Sequence, residues 1–263
     1  MMDLIDKRRV AESFSKAAST YDSVAALQRD IGQTLLERMP HTQGSVVRLL
    51  DLGCGTGYFT AALAQRFNPN HLIGLDIASG MLAFAKGERQ LNGVSWLCGD
   101  AESIPLRSEA CDLIFSSLAI QWCEHIDLLF SEISRVLSQN GRAYIATLGP
   151  KTLYELRDAW SAVDDYQHVN RFVDKESLLA ALPEDLTLSA VAVEDRVLQY
   201  QQLKELTAEL KSLGAHNLNE GRPKGLTGGA RIKAFKAAYE SFRTDGGYLP
   251  ATYEVYYLEL RKH

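Results

Sequence analysis

The sequence predicts an α/β fold, a mostly parallel sheet with helices on both faces, and three observations carry that prediction. Apolar runs of strand length alternate with helical patterns from Val46 to Leu148. The first run passes through Asp51 into glycines at alternate positions, Gly53, Gly55 and Gly57, before a helical pattern opens at Tyr58. Asp51, Asp76 and Asp100 each stand where a run ends, and open α/β sheets bind ligands at the carboxyl ends of their strands.

Taken in order, residues 3–38 read helical, with Val10, Phe14, Ala17 and Ala18 on one spacing and Leu27, Ile31, Leu35 and Leu36 on another. Ser19 to Ser23 reads as a break between them, centred on Tyr21. This arm precedes the nucleotide-type fold and is placed to cover its ligand. Pro40 to Gly44 closes it, and the strand Val46–Leu50 follows. The three glycines make a tight turn that lets backbone amides approach a ligand, and the helix 58–67 offers its unpaired N–H groups. The second strand, His71 to Asp76, ends in a carboxylate nineteen residues beyond Gly57, where such a residue can accept both ribose hydroxyls of a nucleotide; the alternative is a helix N-cap, a role open to Ser79. The third strand, Val94 to Cys98, runs into Gly99-Asp100-Ala101-Glu102, and the fourth, Cys111 to Leu118, is nearly all apolar, as a strand covered on both faces should be. Ile126, Leu129, Phe130, Ile133, Val136 and Leu137 form one helical face that ends at Asn140-Gly141, before a fifth strand, Arg142 to Leu148.

Beyond Gly149 the pattern loosens. A helix around Leu153–Val163, a polar loop at 168–172, a short helix at 178–182 and a strand at 187–200 are expected. About fifty residues then intervene, with helices at 203–213 and 230–243, before a last strand at Thr252 to Leu260. The divisions expected are an arm at 1–44, a ligand-binding core at 45–150, and substrate-side helices, insertion and final strand at 151–263.

Composition removes several classes of function. The 263 residues are 46% hydrophobic and 23% charged, with no apolar run long enough to span a bilayer and no export signal at the start, so a cytoplasmic protein is expected. A net charge of −5 argues against nucleic acid as the main substrate. Cys54, Cys98, Cys111 and Cys123 fall singly, without a C-x-x-C pair or a histidine cluster, which indicates neither a disulfide framework nor a metal site.

The segment D-x-G-x-G-x-G differs from the dinucleotide fingerprint G-x-G-x-x-G. Asp51 would repel a pyrophosphate and welcome a cationic amino-acid ligand. It resembles motif I of the class I S-adenosylmethionine-dependent methyltransferases, which implies their Rossmann-like, seven-stranded fold and their cofactor, with no metal. On that resemblance Asp51, Gly53, Gly55, Gly57, Asp76, Ile77, Met81, Asp100, Ala101 and Ser117 are the cofactor residues. Met81 would pack on the adenine, although helix core explains it too. Asp100 would meet the adenine amine, and Ser117 begins the turn that faces the methyl donor.

A wider set of segments is similar to one family. F-x-x-A-A-x-x-Y-D at 14–22, L-A-I-Q-W-C at 118–123, H-V-N-R-F at 168–172, L-K-x-L-G-A-H at 210–216 and Y-L-P-x-T-Y at 248–253 look like the malonyl-acyl-carrier-protein O-methyltransferases of biotin synthesis. The resemblance implies methylation of the free carboxylate of a malonyl thioester. That carboxylate, with a pKa near ~4, is ionised at neutral pH and needs no general base. Arg171 is expected to pair with it, Tyr21 and Gln121 to orient it, and Trp122, His168 and His216 to shape the substrate site without serving as bases. Plain packing or surface roles remain open for Arg171, Tyr21 and Trp122. The expected partner is malonyl-acyl carrier protein or malonyl-coenzyme A. Residues 201–250 carry eight basic and five acidic side chains, locally +3, and Arg222, Lys224, Arg231 and Lys233 are the expected docking cations for an acidic carrier. Another small acceptor, or a cofactor binder without turnover, are the alternatives.

Overall fold

The computed structural model describes residues 6–40, 48–215 and 228–263. Seven strands form one sheet in the order β3-β2-β1-β4-β5-β7-β6. They are β1 (Arg48–Leu52), β2 (His71–Asp76), β3 (Val94–Cys98), β4 (Cys111–Ser117), β5 (Leu137–Leu148), β6 (Leu186–Tyr200) and β7 (Leu249–Lys262). β1 to β5 pair in parallel, whereas β7 runs antiparallel to both β5 and β6. The chain order reverses between β1 and β4, which opens a crevice above the glycine turn.

Side-chain alternation in the central strands divides the core between the two faces. Leu49, Leu113 and Phe115 join α2 (Ala26–Arg38) and α3 (Tyr58–Phe67) on one face. Leu50, Leu52 and Ile114 meet α5 (Ile126–Val136) on the other, through Leu129, Phe130 and Ile133. Burial on both faces explains why these strands read as continuous apolar runs.

Several boundaries differ from the sequence reading. The arm does not break at Ser19–Ser23: α1 (Lys7–Val24) runs through it, and the break comes at Ala25. The hydroxyls of Thr20 and Ser23 donate to the carbonyls of Ala17 and Thr20, three residues back, so these polar side chains bond to the helix that continues through them. Ser79 does not cap α4 (Ser79–Glu88); the N-cap position is Ala78, whose N–H donates to Asp76 Oδ1 at 2.7 Å. α5 ends at Val136 and not at Asn140-Gly141, and β5 begins at Leu137 with a register shift opposite Cys111–Leu113. β7 is longer than Thr252–Leu260 because partners on both sides satisfy its backbone. The remaining helices, α6 (Tyr154–Ser161), α7 (Lys175–Ala180), α8 (Leu203–Ser212) and α9 (Gly229–Glu240), fall where the pattern places them, within a few residues.

Candidate active site

The carboxyl ends of β1, β2, β3 and β4 surround a cavity of about 110 Å³. The turn after β1 is built by conformations that suit glycine. Gly53 has φ +76°, and a Cβ there would collide with Ala119; Gly55 has φ +53° and faces open space. Gly57 (φ +74°) does not reach the cavity: it caps α3, and its own Cβ would press on Trp96 at 2.8 Å. Asp76, at the tip of β2, accepts the Gly55 N–H on Oδ2 at 2.8 Å and the Ala78 N–H on Oδ1 at 2.7 Å. Each oxygen keeps a lone pair for a further donor, as adjacent ribose hydroxyls would require. Burial holds its carboxyl above the usual range, against the pull of these backbone donors. Ile77, Met81, Asp100, Ala101 and Ser117 also line this cavity.

Asp51 does not line it. Its side chain is buried, accepts the Thr60 hydroxyl at 2.6 Å and is pushed up to about 7, first by burial, with the Thr60 bond opposing and Asp76 adding to the rise. The carboxylate expected to face a cationic ligand instead fastens β1 to α3. Asp100 is engaged as well: Lys7 Nζ pairs with it at 2.6 Å and with Glu102 at 2.9 Å, which draws the start of α1 over the β3 end of the cavity. Nothing in the residue pattern around Lys7 announces that role.

α1 is tied down along its length. Ser15 Oγ accepts the Gly80 N–H, Ser13 Oγ donates to Gly214 O, and Asp22 takes the Thr56 hydroxyl and the Arg89 guanidinium. Tyr21 and Phe14 are thereby held between two chambers. The second, of about 280 Å³, lies beyond them and is lined by α2, the turn after β4, residues 148–172, α8, α9 and Tyr253. Phe14, Tyr21, Leu118 and Trp122 belong to the lining of both chambers and form the wall between them. Phe14 and Trp122 meet edge to face at 5.3 Å. Leu118 sits at φ +53°, a strained position for a leucine, held by its N–H to Ala146 O at 2.8 Å and by Gln121 Nε2 on its carbonyl at 2.7 Å. The Tyr21 hydroxyl is driven well above its ordinary range, by burial first and then by Asp76 and Asp22, so it stays an O–H donor at neutral pH.

His168 lines the second chamber with both its face and its edge committed. It stacks on Trp160 at 3.8 Å, Trp160 stacks in turn on Phe235 at 4.0 Å, and Asp164 holds Nε2 at 2.8 Å. Asp164 also pairs with Arg231 of α9. Arg231, expected to be a docking cation, is thus fixed inside the molecule's own network, whereas Lys233 is exposed. Arg171 is exposed and does not line the chamber, unlike its neighbours Val169, Asn170 and Phe172. His216, Arg222 and Lys224 lie outside the described residues. Among the described lining residues of the second chamber there is no Asp, Glu, Lys or Arg. Sequence reading missed Phe14, Gln28, Trp160 and Asn170 as site residues. Phe14 and Asn170 stand inside the segments that carry the resemblance, which is the one signal that could have found them.

The residues at the strand ends therefore fit an adenosyl ligand: a carboxylate with free lone pairs, an open glycine and an apolar Met81 wall. The Cys123 thiol at the cavity is pushed up to about 12, by burial first. Among the described residues no cluster of metal-ligating side chains occurs, and no helix is long and apolar enough to cross a membrane.

Comparison with known proteins agrees with this geometry. Residues 50–145 match the family model described as Methyltransferase domain. The YcgJ protein of Bacillus subtilis superposes with a TM-score of 0.61 over 89% of this chain and 98% of that one, at 18% identity, a likeness of fold alone. The biotin biosynthesis bifunctional protein BioHC of Cellvibrio japonicus is 52% identical over 98% of this chain, which spans 51% of its length, so the chain covers about half of that relative. The malonyl-[acyl-carrier protein] O-methyltransferase of Methylovorus sp. is 42% identical over 97% of this chain and 88% of its own. On that match, nearly end to end in both proteins, the chain belongs to the malonyl-[acyl-carrier protein] O-methyltransferase family.

Proposed function

We propose that this protein transfers the methyl group of S-adenosylmethionine to the free carboxylate of a malonyl thioester carried on acyl carrier protein, in the cytoplasm, to give the methyl ester that primes the pimeloyl chain of biotin. The observation that carries this reading is the pair of chambers with a common wall of Phe14, Tyr21, Leu118 and Trp122. One chamber fits the donor, and the other is an apolar space for a carboxylate acceptor.

The cofactor, when bound, supplies an activated methyl group on sulfur. The chain's residues do the rest by placement. Asp76 anchors the donor through its free lone pairs and Gly55 lets it close on the backbone. The acceptor carboxylate is already ionised and needs no base, so a lining with no Asp, Glu, Lys or Arg among its described residues suits the reaction. A dry, neutral wall leaves the nucleophile's charge uncancelled and its approach aligned. Tyr21 stays protonated and presents an O–H donor at the wall. His168, held by Asp164 and stacked on Trp160, shapes the chamber.

Incubation with labelled cofactor and malonyl-acyl carrier protein, malonyl-coenzyme A and free acids side by side tests the reading. Label in the malonyl thioester supports it. Label in another acceptor redirects it to a different small-molecule methyltransferase, and no label in any product reduces the chain to a binder.

A further inference from the structure

The acceptor chamber must hold a carboxylate, yet its described lining has no cation to pair with one. What it does have is primary amides: Gln28 from α2, Gln121 from the turn after β4, and Asn170 from the polar loop. The side-chain oxygen of each is buried without a partner. Gln121 is spoken for at its other end, because Nε2 donates to Leu118 O at 2.7 Å and thereby braces the wall. Gln28 and Asn170 differ. Neither makes a side-chain hydrogen bond among the described residues; the buried, unpartnered atom of each is its oxygen, and its N–H end, which is not among the buried unpartnered atoms, stays accessible. An amide N–H that lines the chamber without a protein partner is a donor available to an acceptor-only ligand such as a carboxylate, which the buried oxygen is not.

We infer that Gln28 and Asn170 receive the acceptor carboxylate through their side-chain N–H groups and are positioning residues for methyl transfer. This rests on the reading above and supplies what that reading leaves open. The recognition is neutral. A guanidinium would bind the carboxylate by paired charge-assisted bonds and draw off the negative charge that attacks the methyl group. Amide N–H donors orient the same oxygens and leave the attacking charge in place. Arg171, turned to solvent one residue from Asn170, is consistent with that division.

The test uses isosteric pairs. Asn170→Asp and Gln28→Glu keep size and shape but exchange N–H donors for an anionic oxygen; Asn170→Ala and Gln28→Ala remove the donors only. Acceptor KM should rise about tenfold or more in the acidic variants and less in the alanine variants, with affinity for S-adenosylhomocysteine within twofold of wild type in all four. Between about pH 8 and 6 the loss relative to wild type should narrow in Asn170→Asp, because a carboxyl facing the acceptor carboxylate takes up a proton above its ordinary range and becomes a donor while the acceptor stays ionised. The ordering, acid worse than alanine, is specific to a facing anion; a merely structural role would not produce the pH recovery. Acidic variants that equal or outperform the alanine variants would overturn the inference. If the wild type proves to methylate some other carboxylic acid, the same ordering is expected with that acid, so the inference and the malonyl reading fail separately.

Discussion

Replacing Asp76 with alanine removes the carboxylate that, among the described residues, both lines the chamber proposed for the donor and keeps lone pairs free of side-chain partners. Its oxygens hold Gly55 N at 2.8 Å and Ala78 N at 2.7 Å, which aims the carboxylate across the glycine turn. Hydrogen bonds to a charged acceptor contribute about 1.5–3 kcal/mol each, so losing two from ribose hydroxyls removes about 3 kcal/mol even at the low end. At about 1.4 kcal/mol per factor of ten, cofactor affinity should fall on the order of a hundredfold. Stability should move much less. The orphaned backbone N–H groups lose their acceptor, but the fold is also relieved of a carboxylate whose ionised form burial disfavours. A net change of about 1 kcal/mol corresponds to roughly 2–4 °C in Tm for a chain of this size. Titration calorimetry with S-adenosylhomocysteine reads the first quantity and scanning calorimetry the second. Asp76→Asn, which retains one good acceptor, should fall between. An Asp76→Ala protein that binds within threefold of wild type would refute the assignment of this carboxylate to the donor.

Three further outcomes follow from the same geometry. Tyr21→Phe should lower kcat for the malonyl thioester by about tenfold, the scale of one lost hydrogen bond at the wall, while cofactor affinity stays within about twofold; equal loss of both would place Tyr21 in donor binding instead. Asp51, raised from 3.8 to about 7, holds a proton in the folded state that the unfolded chain has released. Its stabilisation is therefore complete below about pH 4 and lost as pH rises to about 7, with a slope of up to about 1.4 kcal/mol per pH unit. Urea unfolding at several pH values should show that Asp51→Asn removes the slope, and a variant with the wild-type profile would count against the shift. Lys233→Glu should slow turnover of the carrier-linked substrate in low salt and spare malonyl-coenzyme A, whereas Arg231→Glu, by breaking the pair with Asp164 behind His168, should slow both. Identical effects of the two changes would remove the distinction between docking surface and internal network.

The strand ends were legible in the sequence because their chemistry is local. Asp76 and Gly55 reveal themselves by spacing, since a turn at a strand tip and the carboxylate of the next strand meet wherever two parallel neighbours pair in register. Asp51 shows the limit of that logic: the pattern names the residue but not its rotamer, and its side chain is buried beside Thr60, outside the lining of the first chamber. The second chamber was far less legible. It draws on α1, α2, the turn after β4, the 168–172 loop, α8 and α9, segments up to some two hundred residues apart, and no periodicity says which faces converge. Arg171 looked suited to an anion by charge alone, yet the chamber is entered by Asn170 beside it. Arg231 looked free and is paired with Asp164, a contact across 67 residues. The helix break misread at Ser19–Ser23 has a similar cause, because hydroxyls that favour turns also bond back to helix carbonyls.

The most direct test of the account is a single-turnover measurement with labelled S-adenosylmethionine and two variants of the shared wall, Phe14→Ala and Trp122→Ala. If the chambers are donor and acceptor sites joined at that wall, wild-type protein should place the label on the malonyl carboxylate, and both variants should slow the transfer step by at least about tenfold while the cofactor still binds, since a loosened wall misplaces the reacting groups. Wild-type protein that leaves malonyl thioester unlabelled, or variants that transfer the methyl group at the wild-type rate, would contradict it.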